Sequence, residues 1–329
     1  MTGINVSVCI ASYNHAPYLR EMLDSVLAQT YKNFEVVVVD DASPDNSLEI
    51  LREYAGKFEN FRVYTHENQA NKGISMTLNL AIEKAQGNYI VFVGSDDVLY
   101  PDALENQIKE FEKKSDLAFV YGKCRCIDQN GKILDKILGE NSENLPLSMD
   151  EIIMSNGIPA VTVMARKECL EFVGLYDKDL TFSDWHLWVK LLAHFEMGFI
   201  DRFICKYRIH DKNTSIGISS EKFFFNSREV ILSLIDKKDE IGGRLSSKGK
   251  VLADALKVIN KQLANSYLDG YIQQTEKGNL QNAFSYLSKA AKIYPLIFLS
   301  FRRSVAIIRK GLIGITMVKH QNNKSKNVE

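Results

Sequence analysis

The chain has no excess charge of either sign, no cysteine framework and no long apolar run, and each absence removes a class of protein. Lysine plus arginine and aspartate plus glutamate number 41 each, which argues against a chain-wide basic surface for nucleic acid. The five cysteines are odd in number and lie mostly inside apolar runs. Only Cys124 and Cys126 are close, and C-x-C lacks the second half of a zinc site, so reduced cytosolic thiols are expected. No stretch reaches the roughly 18 uninterrupted apolar residues that a spanning helix needs. The start MTGINVSVCI has neither a basic region nor a long apolar one, so no signal peptide is expected. With 45% hydrophobic and 25% charged residues, disorder is excluded and an ordinary core is available. The length of 329 residues accommodates one large domain, or a catalytic domain with an appendage.

What is present is two carboxylate pairs, each at the end of an apolar run. FEVVVV (34–39) stops at Asp40 and Asp41, and YIVFV (89–93) stops at Gly94, Ser95, Asp96 and Asp97. Short β-rich runs bounded by polar residues read as buried strands. In an open α/β sheet, ligands gather just outside the carboxyl ends of such strands. Four converging carboxylates repel one another unless something positive binds between them, and a divalent metal carrying an anionic ligand does that. The pattern points to an enzyme acting on a phosphorylated or nucleotide-linked substrate.

The first hundred residues alternate between the two periods. Strand-like VSVCIAS (6–12) precedes YLREMLDSVLAQ (18–29), whose Leu19, Met22, Leu23, Val26 and Leu27 follow helical spacing. Strand 34–40 precedes a helix near 45–58, opened by Ser43-Pro44-Asp45. FRVYTH (61–66) is a third strand, and ISMTLNLAIEKA (74–85) is a helix stopped by Gly87. This βαβαβαβ order predicts a mostly parallel sheet with helices on both faces. Farther on, 101–114 reads as a helix and 117–128 as a strand. Asn130-Gly131 marks a hairpin turn, 159–165 reads as a strand, a helix spans about 183–195, and 198–210 is extended. From about 219 the chain becomes charged and amphipathic, without strand signals. The expected division is 1–218 and 219–329.

Four stretches in order resemble the family 2 glycosyltransferases with the GT-A fold: SVCIASYNHAPYLREMLDSVLAQTYKNFEVVVVDDASPDNS, NKGISMTLNLAIEKAQGNYIVFVGSDDVLYPDAL, FSDWHLWVKL and YRIHDKNTS. The likeness covers roughly residues 4–215. It implies an inverting, metal-dependent transfer of sugar from a nucleotide diphosphate donor, a UDP-sugar, to a hydroxyl of a polysaccharide or lipid-linked glycan. On the nucleotide side it implies Ala11, Tyr13, Asp40, Asp41, Asn71, Gly73, Asn79 and Asp96. A carboxylate only accepts and so suits the uracil N–H, and a phenol offers a flat face and a polar tip. Asp97 and His210 are the implied ligands of Mn²⁺ or Mg²⁺, which would stabilise the departing diphosphate, and Arg208 would assist electrostatically. Asp184 is the implied catalytic base, because an inverting transfer needs a proton acceptor opposite the leaving group. Trp185 and Trp188 beside it suit sugar stacking. Helix-cap roles for Asp41 and Asp184 stay open. So does a core role for the tryptophans.

Two departures from the family pattern stand out. Gly94 and Ser95 reduce the acidic motif to its minimal form, and Leu78 stands where relatives often carry arginine. A sugar-phosphate nucleotidyltransferase is the first alternative, but ASYNHAPYL lacks the glycines and lysine of its loop. A non-catalytic glycan- or nucleotide-binding scaffold is the second. Residues 263–295 resemble one tetratricopeptide-like helix pair. Residues 296–319 mix apolar clusters with Arg302, Arg303, Arg309, Lys310 and Lys319, as in an interfacial helix. A last helix packed on the domain has the same composition. The expected location is the cytoplasm, with peripheral contact at the inner face of the cell membrane.

Overall fold

The computed structural model describes residues 5–140, 145–213 and 218–295. Residues 296–319 lie outside them. The alternation expected from the sequence is present: β1 (Val6–Ser12), α1 (Ala16–Leu27), β2 (Phe34–Asp40), α2 (Ser47–Ala55), β3 (Phe61–Thr65), α3 (Ile74–Lys84) and β4 (Tyr89–Gly94). Then follow β5 (Val98–Leu99), α4 (Ala103–Lys113), β6 (Leu117–Asp128), β7 (Ile133–Leu138), α5 (Met149–Met154), β8 (Met164–Arg166), α6 (Lys167–Val173), α7 (Ser183–His194) and β9 (Glu196–Ile209). The remaining elements are helical: α8 (Ser220–Asp236), α9 (Lys238–Ile241), α10 (Gly249–Glu276) and α11 (Leu280–Ile293). The result is an α/β fold with an all-α C-terminal region.

The sheet runs β3-β2-β1-β4-β8-β6-β9-β5, with β7 on β6. Its first four strands are parallel. Beyond β4 the pairing is mixed: β8 is antiparallel to β4 and β6, β9 is parallel to β6, and β5 is antiparallel to β9. The run 159–165 is not one strand. A 3-10 turn at Ala160–Thr162 comes first, and only Met164–Arg166 pairs.

The apolar runs become the core because both faces of the parallel strands are covered. Val8, Ile10, Val36 and Val38 pack against Leu19, Met22, Leu23 and Val26, the face of α1 that the helical spacing picks out. Glu35, a charge within this apolar layer, is held by the Ser7 hydroxyl at 2.6 Å, the Gln86 backbone N–H at 2.6 Å and Arg62. A buried carboxylate without such partners would cost several kcal/mol. All five cysteines are buried and free.

The described chain divides into two compact units. One comprises the described residues of Met1–Gly217 with Ser233–Val251, and the other Ile218–Leu232 with the described residues from Leu252 onward. In the helical unit Leu263, Ala264, Tyr267, Leu268 and Ala290 form a small core. Gly270 lets Tyr286 sit close, since a Cβ there would come 2.7 Å from the ring. Among the described residues no helix is long and apolar enough to cross a membrane.

Candidate active site

The strand register sets the carboxyl ends side by side. Ser12 of β1 pairs with Asp40 of β2, and Ala11 pairs with Gly94 of β4. The loops that leave these strands therefore meet at one edge of the sheet, as open α/β sheets require of their ligand sites. A cavity of about 270 Å³ opens there. Its wall includes Ala11, His15, Ser75, Leu78, the run Gly94–Asp97, Tyr176, Asp184, Tyr207 and Asn213.

At one end of the wall the donor atoms of His15, Asp96 and His210 lie within 4.8 Å of one another. The His210 Nδ1 accepts the Lys212 backbone N–H at 3.2 Å. Its proton is therefore on Nε2, which donates to Asp96 Oδ2 at 2.8 Å. Asn213 fixes both partners: its Oδ1 accepts the His210 N–H at 2.6 Å, and its Nδ2 donates to Asp96 Oδ2 at 3.1 Å. His15 Nδ1 is 2.8 Å from the Ser95 hydroxyl and 3.9 Å from Asp96 Oδ1. Two imidazoles and a carboxylate, converging and mostly buried, fit a divalent cation that would replace the Nε2 proton.

Asp97, the expected direct ligand, is placed differently. Its Oδ1 accepts the Arg208 backbone N–H at 2.8 Å, its Oδ2 is buried without a partner, and it is not one of the converging donors. Burial, then the neighbouring Asp96 charge, holds its pKa well above the carboxylate range. Arg208 is likewise committed inside the fold. It is 1% exposed, and its guanidinium bonds Glu21 at 2.6 Å and the Asp96 carbonyl at 2.8 Å. It supports the acidic turn from behind.

The other expected nucleotide residues form a second group beside the cavity. Asp40 is spent on a turn, accepting the Ser43 N–H at 2.9 Å and its hydroxyl at 2.6 Å. Asp41 accepts the Lys72 and Gly73 N–H groups at 2.6 and 2.9 Å, and its carbonyl accepts from Asn71 at 2.9 Å. Gly73, at φ +81°, lets the loop wrap this carboxylate before α3 begins. Tyr13 stands 46% exposed past the end of β1. Asn79 serves another purpose, with its amide closed on the Tyr176 backbone by bonds of 2.9 and 3.0 Å. On α3 it is Ile74, Ser75 and Leu78 that face the cavity.

Asp184 stands in the first turn of α7, on the cavity wall. Burial raises its pKa, while nearby N–H groups and Asn156 lower it; Asn156 donates to Oδ2 at 3.1 Å. Both tryptophans belong to the core. Trp185, 4% exposed, donates its indole N–H to the Ile152 carbonyl at 2.6 Å. Trp188 is fully buried against Phe119, with ring centroids 5.4 Å apart. They hold α7 in place and offer no face to a sugar. His15, Asn156 and Asn213 carry geometry that sequence reasoning missed. The signal for His15 is its position, two residues past Tyr13 in the loop that leaves the carboxyl end of β1.

The family model for glycosyl transferase family 2 matches residues 7–152. The putative teichuronic acid biosynthesis glycosyltransferase TuaG of Bacillus subtilis is 30% identical over 228 residues, covering 68% of this chain and 88% of that protein. The chain belongs to glycosyl transferase family 2. An uncharacterized glycosyltransferase of Rickettsia typhi is 33% identical over 215 residues, 64% of this family 2 chain and 65% of that relative. The chain spans under two thirds of the length of the Rickettsia relatives it matches. Staphylococcus aureus TarS residues 1–349, solved with UDP-GlcNAc, superposes with a TM-score of 0.62 at 20% identity. That match covers 91% of this chain and 92% of the TarS 1–349 chain, and it shows the GT-A fold.

Proposed function

We propose that this chain is an inverting, metal-dependent glycosyltransferase that moves a sugar from a UDP-sugar to a hydroxyl of a polysaccharide or lipid-linked glycan. One observation carries the reading: a single cavity is lined by His15 and Asp96, which converge with His210, and by the carboxylate of Asp184. That pairs a place for the leaving diphosphate with a proton acceptor. His15, Asp96 and His210 would hold the ion, and the mixed nitrogen and oxygen donors suit Mn²⁺ better than Mg²⁺, which prefers oxygen alone. When bound, the ion supplies Lewis-acid stabilisation of the diphosphate.

The chain's own residues do the rest. Asp184 accepts the proton of the acceptor hydroxyl as its oxygen attacks the anomeric carbon. The bond to the diphosphate oxygen breaks and that oxygen keeps the electron pair. Tyr13 and Asp41 border the nucleoside, with Asp41 using an acceptor lone pair left beyond its two backbone donors. Asn71 and Gly73 shape that loop, and the small Ala11 leaves room for the diphosphate. We assign catalysis to 1–218 and keep 219–329 as the helical region.

A panel of nucleotide-sugars, read by thermal shift and by nucleoside diphosphate release with Mn²⁺, tests the assignment. A true donor at one hundred times its Kd should stabilise the protein by about 2.7 kcal/mol. Asp96→Ala should abolish metal-dependent release. Asp184→Asn should lower transfer by roughly 10²–10⁴ with donor binding unchanged. Near-wild-type turnover in either variant removes the corresponding role.

A further inference from the structure

Asp184 accepts a hydrogen bond from a side chain outside its own helix. Asn156 lies just beyond α5, and its Nδ2 donates to Asp184 Oδ2 at 3.1 Å. Its Oδ1 accepts the Ile158 backbone N–H at 3.3 Å. An amide has one accepting end and one donating end. With the accepting end committed to a backbone N–H, only the donating end can face the carboxylate. The amide's orientation is thus dictated by the chain itself.

The segment carrying Asn156 is anchored on both sides. Before it, Ser148 and Glu151 form a reciprocal capping box, and Trp185 of α7 donates to Ile152 at 2.6 Å. After it, a Cβ on Gly157 would come 2.7 Å from Leu147 Cδ1, so the loop lies close against Leu147. A donor held this firmly does more than fill space.

We propose that Asn156 is the positioning residue of the base, holding the Asp184 carboxylate at the cavity wall through a donor that the protonated acid needs less. The inference rests on the reading of Asp184 as base. A hydrogen bond donated to a carboxylate favours its ionised form, and ionisation is what a general base must keep against burial. The ionisable groups sharing this cavity are His15, Asp96, Asp97, Tyr176 and Tyr207. The α3 residues on the wall, Ile74, Ser75 and Leu78, add none. Asn156 is the side-chain donor on Asp184 among the described residues.

The test is a double-mutant cycle on the full-length protein: wild type, Asn156→Ala, Asp184→Asn and the double variant. Stability is followed from pH 4 to pH 8. Coupling between the two positions is expected at pH 8 and should weaken as pH falls and Asp184 takes up its proton. Burial raises its pKa, and a neutral carboxyl accepts the amide N–H less strongly. Zero coupling throughout, or coupling that ignores pH, overturns the proposal. The second arm is the pH profile of UDP release from UDP-GlcNAc with Mn²⁺. Asn156→Ala should move the acid limb up by about one unit, a tenfold loss of ionised base at a given acidic pH, with KM unchanged. Asn156→Asp keeps the shape but brings a charge and no donor, so its limb should move farther. A purely structural role would instead leave Asn156→Asp nearer to wild type and overturns the idea. Should Asp184→Asn release UDP at the wild-type rate, the base assignment fails by itself, and the stability cycle still decides whether the amide governs that carboxylate.

Discussion

At the scale of single residues, Asp184 presents a conflict between stability and function. Burial raises its pKa. A carboxyl whose folded pKa lies above its unfolded value favours the fold fully below the unfolded pKa and loses that contribution as pH rises through the folded one. Asp184→Asn removes the penalty. The variant should match wild-type stability near pH 4 and exceed it at pH 7–8, where it also loses transfer; Tm against pH reads this directly. Equal stability at pH 8 would mean that the carboxylate is solvated and unstrained. The sequence disclosed the acids but not their facing. Asp96 and Asp97 are adjacent, and only the fold turns one toward His210 and gives the other to the Arg208 backbone. The contact between Asn156 and Asp184 spans 28 positions, and no local pattern announces it. The tryptophans illustrate the opposite error. Aromatic residues beside an acid read as a sugar platform, yet both rings are buried and pack as core, Trp188 on Phe119 and Trp185 with its indole N–H on the Ile152 carbonyl.

At the scale of elements, the parallel half of the sheet was legible because its strands are short apolar runs closed by turn residues and its helices repeat every three to four positions. The mixed half was less so. β8 pairs over three residues after a 3-10 turn, too short for its period to register, and pairing direction leaves no local trace. Tertiary clamps compensate for such short pieces. The six-residue α5 leaves its last carbonyls without helical partners, and Trp185 supplies a donor to Ile152 at 2.6 Å. Trp185→Phe keeps an aromatic ring but strands that buried carbonyl, which should cost about 1–3 kcal/mol. Tm should fall accordingly, and amide exchange over 149–156 should quicken more than exchange in β1 or β2. Unchanged exchange in α5 would show that another group holds it.

At the scale of the molecule, the α/β unit and the helical unit each have an apolar core of their own, and the sequence beyond the described helices offers a place for a localisation device. Residues 296–319 are the proposed device, argued from composition alone. Apolar clusters alternate with Arg302, Arg303, Arg309, Lys310 and Lys319, a pattern that lets a non-polar face enter the acyl boundary while cations meet anionic headgroups. Each basic residue near such a surface contributes about 1 kcal/mol, and the attraction is screened within about 8 Å at physiological ionic strength. Full-length protein should therefore float with phosphatidylglycerol-containing vesicles at low salt, release partly at high salt and ignore neutral vesicles. Truncation after Tyr294 should abolish flotation while leaving the donor-induced thermal shift intact. A truncated protein that unfolds, or a full-length one indifferent to anionic vesicles, would make the segment part of the packed structure. The acceptor would then have to reach the cavity from solution.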